Sequence, residues 1–203
     1  MDLDPVELRV LGCLIEKQRT TPDVYPLSLN ALRAACNQST NRDPVVAYEE
    51  PAIREALAEL GRRRYTRLAS GAGSRAPKYR HLLDEALGLS GPEQSVLAVL
   101  MLRGAQTPGE LRQRTERLHS FADHAALEAV LDGLAERELV VRLGRRPGQK
   151  EERWAQLLGE DAEPAPAASA APVPAEPDRL ARVEAELAAL ADEVARLRAL
   201  VEG

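Results

Sequence analysis

Apolar residues along this chain follow a helical period, then an alternating one, and then repeat the whole pattern. Val6, Val10 and Leu14 recur every four residues, and Leu11 and Ile15 widen the stripe, which predicts an amphipathic helix. Asp4-Pro5-Val6-Glu7 supplies a capping residue, a proline suited to the first turn and a glutamate to answer the cap. A second helix is predicted from Ser28, and a third carries Ile53, Leu57 and Leu60. The period then shortens. Tyr65–Leu68 and Lys78–Leu82 read as strands about a Gly71-Ala72-Gly73-Ser74 tip. From Ser90 the same order returns: Val96, Leu97 and Leu100 match Val10, Leu11 and Leu14 at an offset of 86. Leu111-Arg112 matches Leu32-Arg33 at 79, and Leu127, Leu131 and Leu134 match Ile53, Leu57 and Leu60 at 74. Strands Leu139–Leu143 and Arg153–Leu157 close the second copy. Each drop in offset falls in a loop, so one scaffold is used twice.

Three helices ending in a two-stranded hairpin is the winged-helix arrangement. The expected fold is mostly α with small β-hairpins (α+β): a first winged-helix domain at 1–83, a connector at 84–89 and a second winged helix at 90–158. Residues 159–177 are rich in Pro and Ala and read as an extended linker. Over 178–203, Leu180, Val183, Leu187, Leu190, Val194, Leu197 and Val201 alternate three- and four-residue spacings, the seam of a coiled coil. In a parallel dimer Arg179 would face Glu184, and Glu193 would face Arg198, both of opposite sign. Self-association as a parallel dimer is therefore expected; docking of this helix on its own body is the competing reading.

Composition sharpens this picture. Aromatic residues are 3% of the 203, so the core must be built from Leu, Val, Ile and Ala. The net charge of −5 hides an asymmetry: 158–203 carries ten acids against four arginines, leaving the body at about +1. Gly61 to Leu82 holds seven basic residues and no acid, and Arg137 to Arg153 holds six against three. Both basic stretches span the strand–tip–strand unit. Cys13 and Cys36 lie in helical patterns and read as buried hydrophobes of a reducing compartment. With no apolar run of spanning length and no secretory leader, a cytoplasmic protein without membrane attachment is expected.

Longer strings carry a resemblance. Thr21-Pro22-Asp23-Val24-Tyr25-Pro26-Leu27-Ser28-Leu29-Asn30-Ala31-Leu32 and Ala35-Cys36-Asn37-Gln38-Ser39-Thr40-Asn41-Arg42-Asp43-Pro44-Val45 resemble the YceH family of bacterial proteins. Ser74-Arg75-Ala76-Pro77-Lys78-Tyr79, Arg103-Gly104-Ala105-Gln106-Thr107-Pro108-Gly109-Glu110-Leu111-Arg112 and Arg117-Leu118-His119-Ser120-Phe121-Ala122 agree. The resemblance covers residues 4 to about 158 and implies the tandem winged-helix fold. It implies no mechanism.

The leading expectation is a regulatory protein that binds double-stranded DNA through its wings. Arg62, Arg63, Arg64, Arg75 and Lys78 in the first copy, with Arg145, Arg146 and Lys150 in the second, are the candidate phosphate contacts. The third helices suit base reading poorly, since Glu49, Glu50, Glu55 and Glu59, and then Glu128, Asp132 and Glu136, crowd them. Arg112, Arg114 and Arg117 line the second helix of copy two, as a DNA-facing row or as a solvated face paired with Glu110 and Glu116. An adaptor that binds another protein is the alternative. The polar loop Asn37–Asp43 reads mainly as turn chemistry. An enzyme is the weakest class: no phosphate loop, nucleophile elbow or metal-ligand spacing occurs, and His81, His119 and His124 read as structural or surface groups. No cofactor and no metal are expected.

Overall fold

A computed structural model describes residues 2–69, 76–145 and 151–159, all within one compact unit, Met1–Pro164. The 159–177 linker, from residue 160 on, and the 178–203 heptads lie outside the described residues. Among the described residues there are seven α-helices and two small antiparallel sheets, a mixed α+β architecture.

The first copy runs α1 (Pro5–Thr20), a 3-10 turn (Pro22–Val24), β1 (Leu27–Ser28), α2 (Leu29–Cys36), α3 (Glu50–Arg62), β2 (Thr66–Leu68) and β3 (Lys78–His81). After α4 (Leu83–Leu87), the second runs α5 (Gly91–Arg103), α6 (Pro108–Thr115), α7 (His124–Glu136), β4 (Val140–Leu143) and β5 (Arg153–Gln156). The caps read from sequence form. Asp4 Oδ1 accepts the Val6 and Glu7 amides at 2.7 and 2.8 Å, while Glu7 accepts the Asp4 amide at 2.9 Å. Thr107 and Glu110 cap α6 reciprocally at 3.2 and 2.9 Å, and Ser28 caps α2. These bonds satisfy amides that a helix start otherwise leaves without partners.

The duplication holds to the residue in the third helices, Glu50–Arg62 and His124–Glu136, and in the turns after them. Arg64 and Glu138, two residues past each helix, both take left-handed backbone, with φ of 61° and 55°. One element escapes the periodicity. Residues Leu27 and Ser28 pair with Tyr79 and Lys78, so the first sheet has the order β1-β3-β2. The second copy keeps this as a single bridge, Gln106 to Trp154, with both backbone bonds made at 2.9 and 2.7 Å. Two residues are too short a run for alternation to reveal. The expected connector at 84–89 is largely helical, because α4 begins at Leu83 and ends where Gly88 adopts left-handed backbone, φ 59°.

The two copies share one core. Leu11, Leu14 and Ile15 of α1 and Val96, Leu97 and Leu100 of α5 are at most 1% exposed. Full burial of each such side chain stabilises the fold by roughly 1.5–3 kcal/mol. Gly12 permits the close crossing of α1 and α5: a Cβ there would stand 2.9 Å from the Leu102 side chain. The ends of the body also meet, as Leu3 donates its amide to the Leu158 carbonyl at 3.0 Å. Among the described residues no helix is long and apolar enough to cross a membrane.

Candidate functional site

The basic candidates separate into committed and uncommitted cations. Arg62 is held by Glu59 one turn earlier on α3, and Arg63 donates to the Asp2 carbonyl at 3.0 Å. Arg54 is likewise held by Glu50 at 2.5 Å. By contrast Arg64, in its left-handed turn, and Arg67 on β2 are exposed and form no ion pair with a described residue. Lys78 opens β3, half-buried, opposite Ser28. Arg75 lies outside the described residues, as do Arg146 and Lys150.

In the second copy Arg145 is exposed at the start of the hairpin tip. It borders a groove of about 270 Å³ between α6, α7 and the hairpin, together with His124, Glu128, Arg142 and Trp154. That groove is electrostatically mixed. Arg142 lies 4.9 Å from the Trp154 ring centre, 3.5 Å from Glu152 and 4.0 Å from Asp132. His124 lies 3.6 Å from Glu128. The third-helix face of this copy is thus neutral to acidic. The turn after it is no more basic, since Arg137 pairs with Glu93 at 2.9 Å and Glu138 follows, so the unpaired positive charge at this groove, among the described residues, is Arg145 on the hairpin.

Of the trio on and after α6, Arg112 is exposed without an acidic partner among the described residues, and Arg114 lies 3.3 Å from Glu110. Arg117 is exposed and also unpaired among those residues, because Glu116 accepts from the Ser120 hydroxyl at 2.8 Å. Of the expected pairings with Glu110 and Glu116, that of Arg114 with Glu110 is formed, while Arg112 and Arg117 are the solvent-exposed members of the row.

The structure joins this row to the polar loop of copy one, which spacing could not show. Loop residue Asp43 donates its amide to the Leu102 carbonyl of α5 at 2.9 Å, and Asn41, at φ 59°, accepts from Arg103 at 3.0 Å. The loop is anchored from beneath by Arg42, whose side chain is fully buried. Arg42 donates to both Glu16 carboxylate oxygens at 3.1 and 2.6 Å, to the Ala35 carbonyl at 3.1 Å and to its neighbour Asn41's carbonyl at 2.8 Å. Burial alone would raise the Glu16 carboxyl; the Arg42 hydrogen bonds and charge bring it below the usual carboxylate range. Part of the turn reading is realised, since Asn37 exchanges two 2.8 Å bonds with the Tyr48 backbone. Asn41 and Arg42 do more than turn chemistry alone requires.

Beneath the same loop, the Cys13 and Cys36 thiols, on α1 and α2, are both buried. Burial pushes Cys13 up, but the Cys36 thiol beside it and the Arg42 charge leave it below the ordinary thiol value; Cys13 and burial hold Cys36 above it. Arg9 on α1 and Arg42 in the loop beyond α2 both bring positive charge to this pair.

His81 is 1% exposed, and its Nε2 lies 2.6 Å from Gln18 Oε1. Its Nδ1 stands 3.6 Å from Asp84 Oδ1, too far for a hydrogen bond, so both buried atoms lack a partner. Burial drives this imidazole down to about 4, with Asp84 opposing the shift. Among the described residues no group of three or more His, Cys, Asp and Glu side chains could hold a metal.

An α+β body with exposed arginines beside its hairpins and a polar loop anchored between its two copies defines the molecule at this level. The chain belongs to the bacterial family described as "Protein of unknown function, DUF480", which it matches over residues 3–149. A UPF0502 protein of Pelobacter propionicus is 50% identical over 211 aligned positions, covering 100% of this chain and 96% of the relative. UPF0502 proteins of Geobacter sulfurreducens and Burkholderia cenocepacia are 50% and 47% identical, over 93% and 99% of this chain and 90% and 87% of their own lengths.

Proposed function

We propose that the protein is a YceH-type tandem winged helix that binds double-stranded DNA through its wings and the turns beside them, contacting backbone rather than reading bases. Helix–helix–helix–hairpin order in both copies supports the fold, as does the short strand before α2 that pairs with the return strand of the first sheet. The observation that carries the binding reading is the division of cations. Arg54 and Arg62 on the third helix are neutralised within the molecule, whereas Arg64, Arg67 and Arg145 project beside the hairpins without an acidic partner among the described residues. Such arginines neutralise phosphates and release counterions, giving affinity that falls with salt. Through the seam Leu180–Val201, two chains would present four wings to one duplex.

The test is fluorescence anisotropy with a random duplex at several salt concentrations. Three neutralised phosphates per bound chain predict a log–log salt slope of about −2.7 per chain, and R64A/R67A/R145A should flatten it by about 0.9 for each phosphate no longer neutralised. Absence of binding at low salt, or binding unchanged in the triple variant, overturns the reading. Light scattering should give a dimer that becomes monomeric on deletion of 178–203; a full-length monomer at micromolar concentration sinks that part.

A protein-binding adaptor is the second reading. The acidic third helices and the exposed apolar side chain of Leu68, 60% accessible on the wing, favour it. Loss of the DNA reading would leave it in first place.

A further inference from the structure

We propose that the cleft where the two copies join binds a phosphate-sized oxoanion. Arg103 from α5 and Arg114 and Arg117 from and just beyond α6 line a cavity of about 60 Å³, closed on the other side by Asn41, Glu16 and Thr20 of the first copy. A water needs roughly 10–15 Å³ of such space, so the cavity takes about four waters or one tetrahedral oxoanion.

The charges facing this space are unequal. Glu16 is the one acid on its wall, and it is already bound by Arg42 at 2.6 Å and Lys17 at 3.5 Å. Behind the wall, Glu110 is divided between Arg114 at 3.3 Å and Arg153 at 3.8 Å. Asp43 is the remaining carboxylate that acts on Arg103. Arg117 has no acidic partner among the described residues. Three guanidinium groups therefore surround a space whose one wall acid, Glu16, is spent on Arg42 and Lys17, while Glu110 is shared between Arg114 and Arg153. Burial, then the neighbouring Arg114 charge, lowers the Arg103 guanidinium from its ordinary value, outweighing the opposing Asp43 and Glu110 charges.

The donors suit an oxoanion in geometry as well as charge. Guanidinium groups bind phosphate or carboxylate through paired N–H donors. Asn41 Oδ1 accepts from Arg103, which fixes the amide so that its NH2 is left to donate. The cleft draws on the features that most distinguish the copies: the long polar loop of the first and the arginine row of the second. Its two sides come from different copies, so neither copy could form it alone.

Anion binding here is independent of the DNA reading. Full-length protein would be titrated with inorganic phosphate against chloride at constant ionic strength, by calorimetry and thermal unfolding. A phosphate concentration ten times Kd should raise Tm by roughly 3–5 °C. R117Q and R114Q should each weaken phosphate at least about tenfold. R112Q, an exposed arginine of α6 outside the cleft, should leave it unchanged. Arg117 makes no ion pair with a described residue, so its variant should fold normally, and its unliganded Tm checks this. No phosphate-dependent shift, or an equal shift in R112Q, R114Q and R117Q, overturns the proposal. Where the shift is arginine-specific, a short duplex added as competitor identifies the source. Displacement assigns the phosphate to a nucleic-acid backbone, and lack of displacement assigns it to a free phosphorylated molecule.

Discussion

Where α1 meets α2 and the loop beyond it, the first copy buries Cys13, Cys36 and Arg42 and half-buries Glu16. At the offsets that align the helices, 86 for the first and 79 for the second, the second copy has Val99, Leu102, Thr115 and Phe121. All four are at most 5% exposed. One packing problem is thus solved once with an ion pair and thiols and once with hydrocarbon and a hydroxyl. Ion pairs removed from water seldom exceed well-packed apolar side chains in stability, and the second copy shows that this scaffold does not need one. The Glu16–Arg42 pair must therefore be judged by what else it holds, which is the polar loop that carries Asn41 and Asp43 to the cleft.

Breaking one partner should have the largest effect. R42A leaves Glu16, whose side chain is only 12% exposed, with Lys17 at 3.5 Å as its remaining ion-pair partner among the described residues, and removes the bond to the Ala35 carbonyl. The expected loss is about 3–5 kcal/mol, read from denaturant unfolding. Importing the second copy's residues as E16L/R42F should stay within about 1.5 kcal/mol of the parent, since volume is kept and no charge is orphaned. Phosphate binding at the cleft should nonetheless weaken in that double variant, because its loop loses its anchor. A double variant as unstable as R42A would show that the copies are not interchangeable at this position.

His81 offers the next contrast. Its counterpart across the aligned return strands is Gln156, also buried, whose Oε1 accepts the Leu158 and Gly159 amides at 2.6 and 3.1 Å. Gln156 cannot titrate, whereas His81 is held at about 4 against an ordinary 6.5. Between those values the unfolded chain binds the proton that the folded protein refuses. Stability contributed by the neutral imidazole is therefore complete above about pH 6.5 and is lost as pH falls towards 4. The loss amounts to up to roughly 3 kcal/mol. H81Q should remove this slope from urea midpoints measured between pH 7 and pH 4. A slope that persists would assign the acid sensitivity to carboxylates instead.

How far the sequence reveals this molecule depends on the range of the interactions. Helix starts at Asp4, Ser28, Ser90 and Thr107 are legible because a cap acts within three residues. The duplication is legible because Leu and Val spacings survive in both copies. Strand β1 is not, since its partner Tyr79 lies some fifty residues on and two residues show no period. The cleft is hidden for the same reason. Asn41 and Arg117 each look like ordinary turn or surface residues, and only tertiary packing of the loop against α5 brings Asn41 to Arg103 and the α6 row. Charge alone singles out Arg62 and Arg63. Their partners, Glu59 and the Asp2 carbonyl, show that positive charge along a chain overstates the charge available to a ligand.

The smallest expected effect separates scaffold from DNA contact at one shared backbone position. Arg64 and Glu138 both hold left-handed backbone between the third helix and the hairpin, where a side chain costs roughly 1–2 kcal/mol and glycine does not. E138G should therefore raise stability by up to about 1 kcal/mol, offset in part by the greater freedom glycine gives the unfolded chain. R64G should gain a similar amount, because neither side chain has an ion pair with a described residue. On DNA the two should part: E138G should bind duplex as well as the parent or slightly better, while R64G should bind more weakly with a salt slope reduced by about 0.9. If R64G gains stability and keeps its full salt slope, the arginine in that turn touches no phosphate, and the proposed DNA contact would have to lie further along the hairpin.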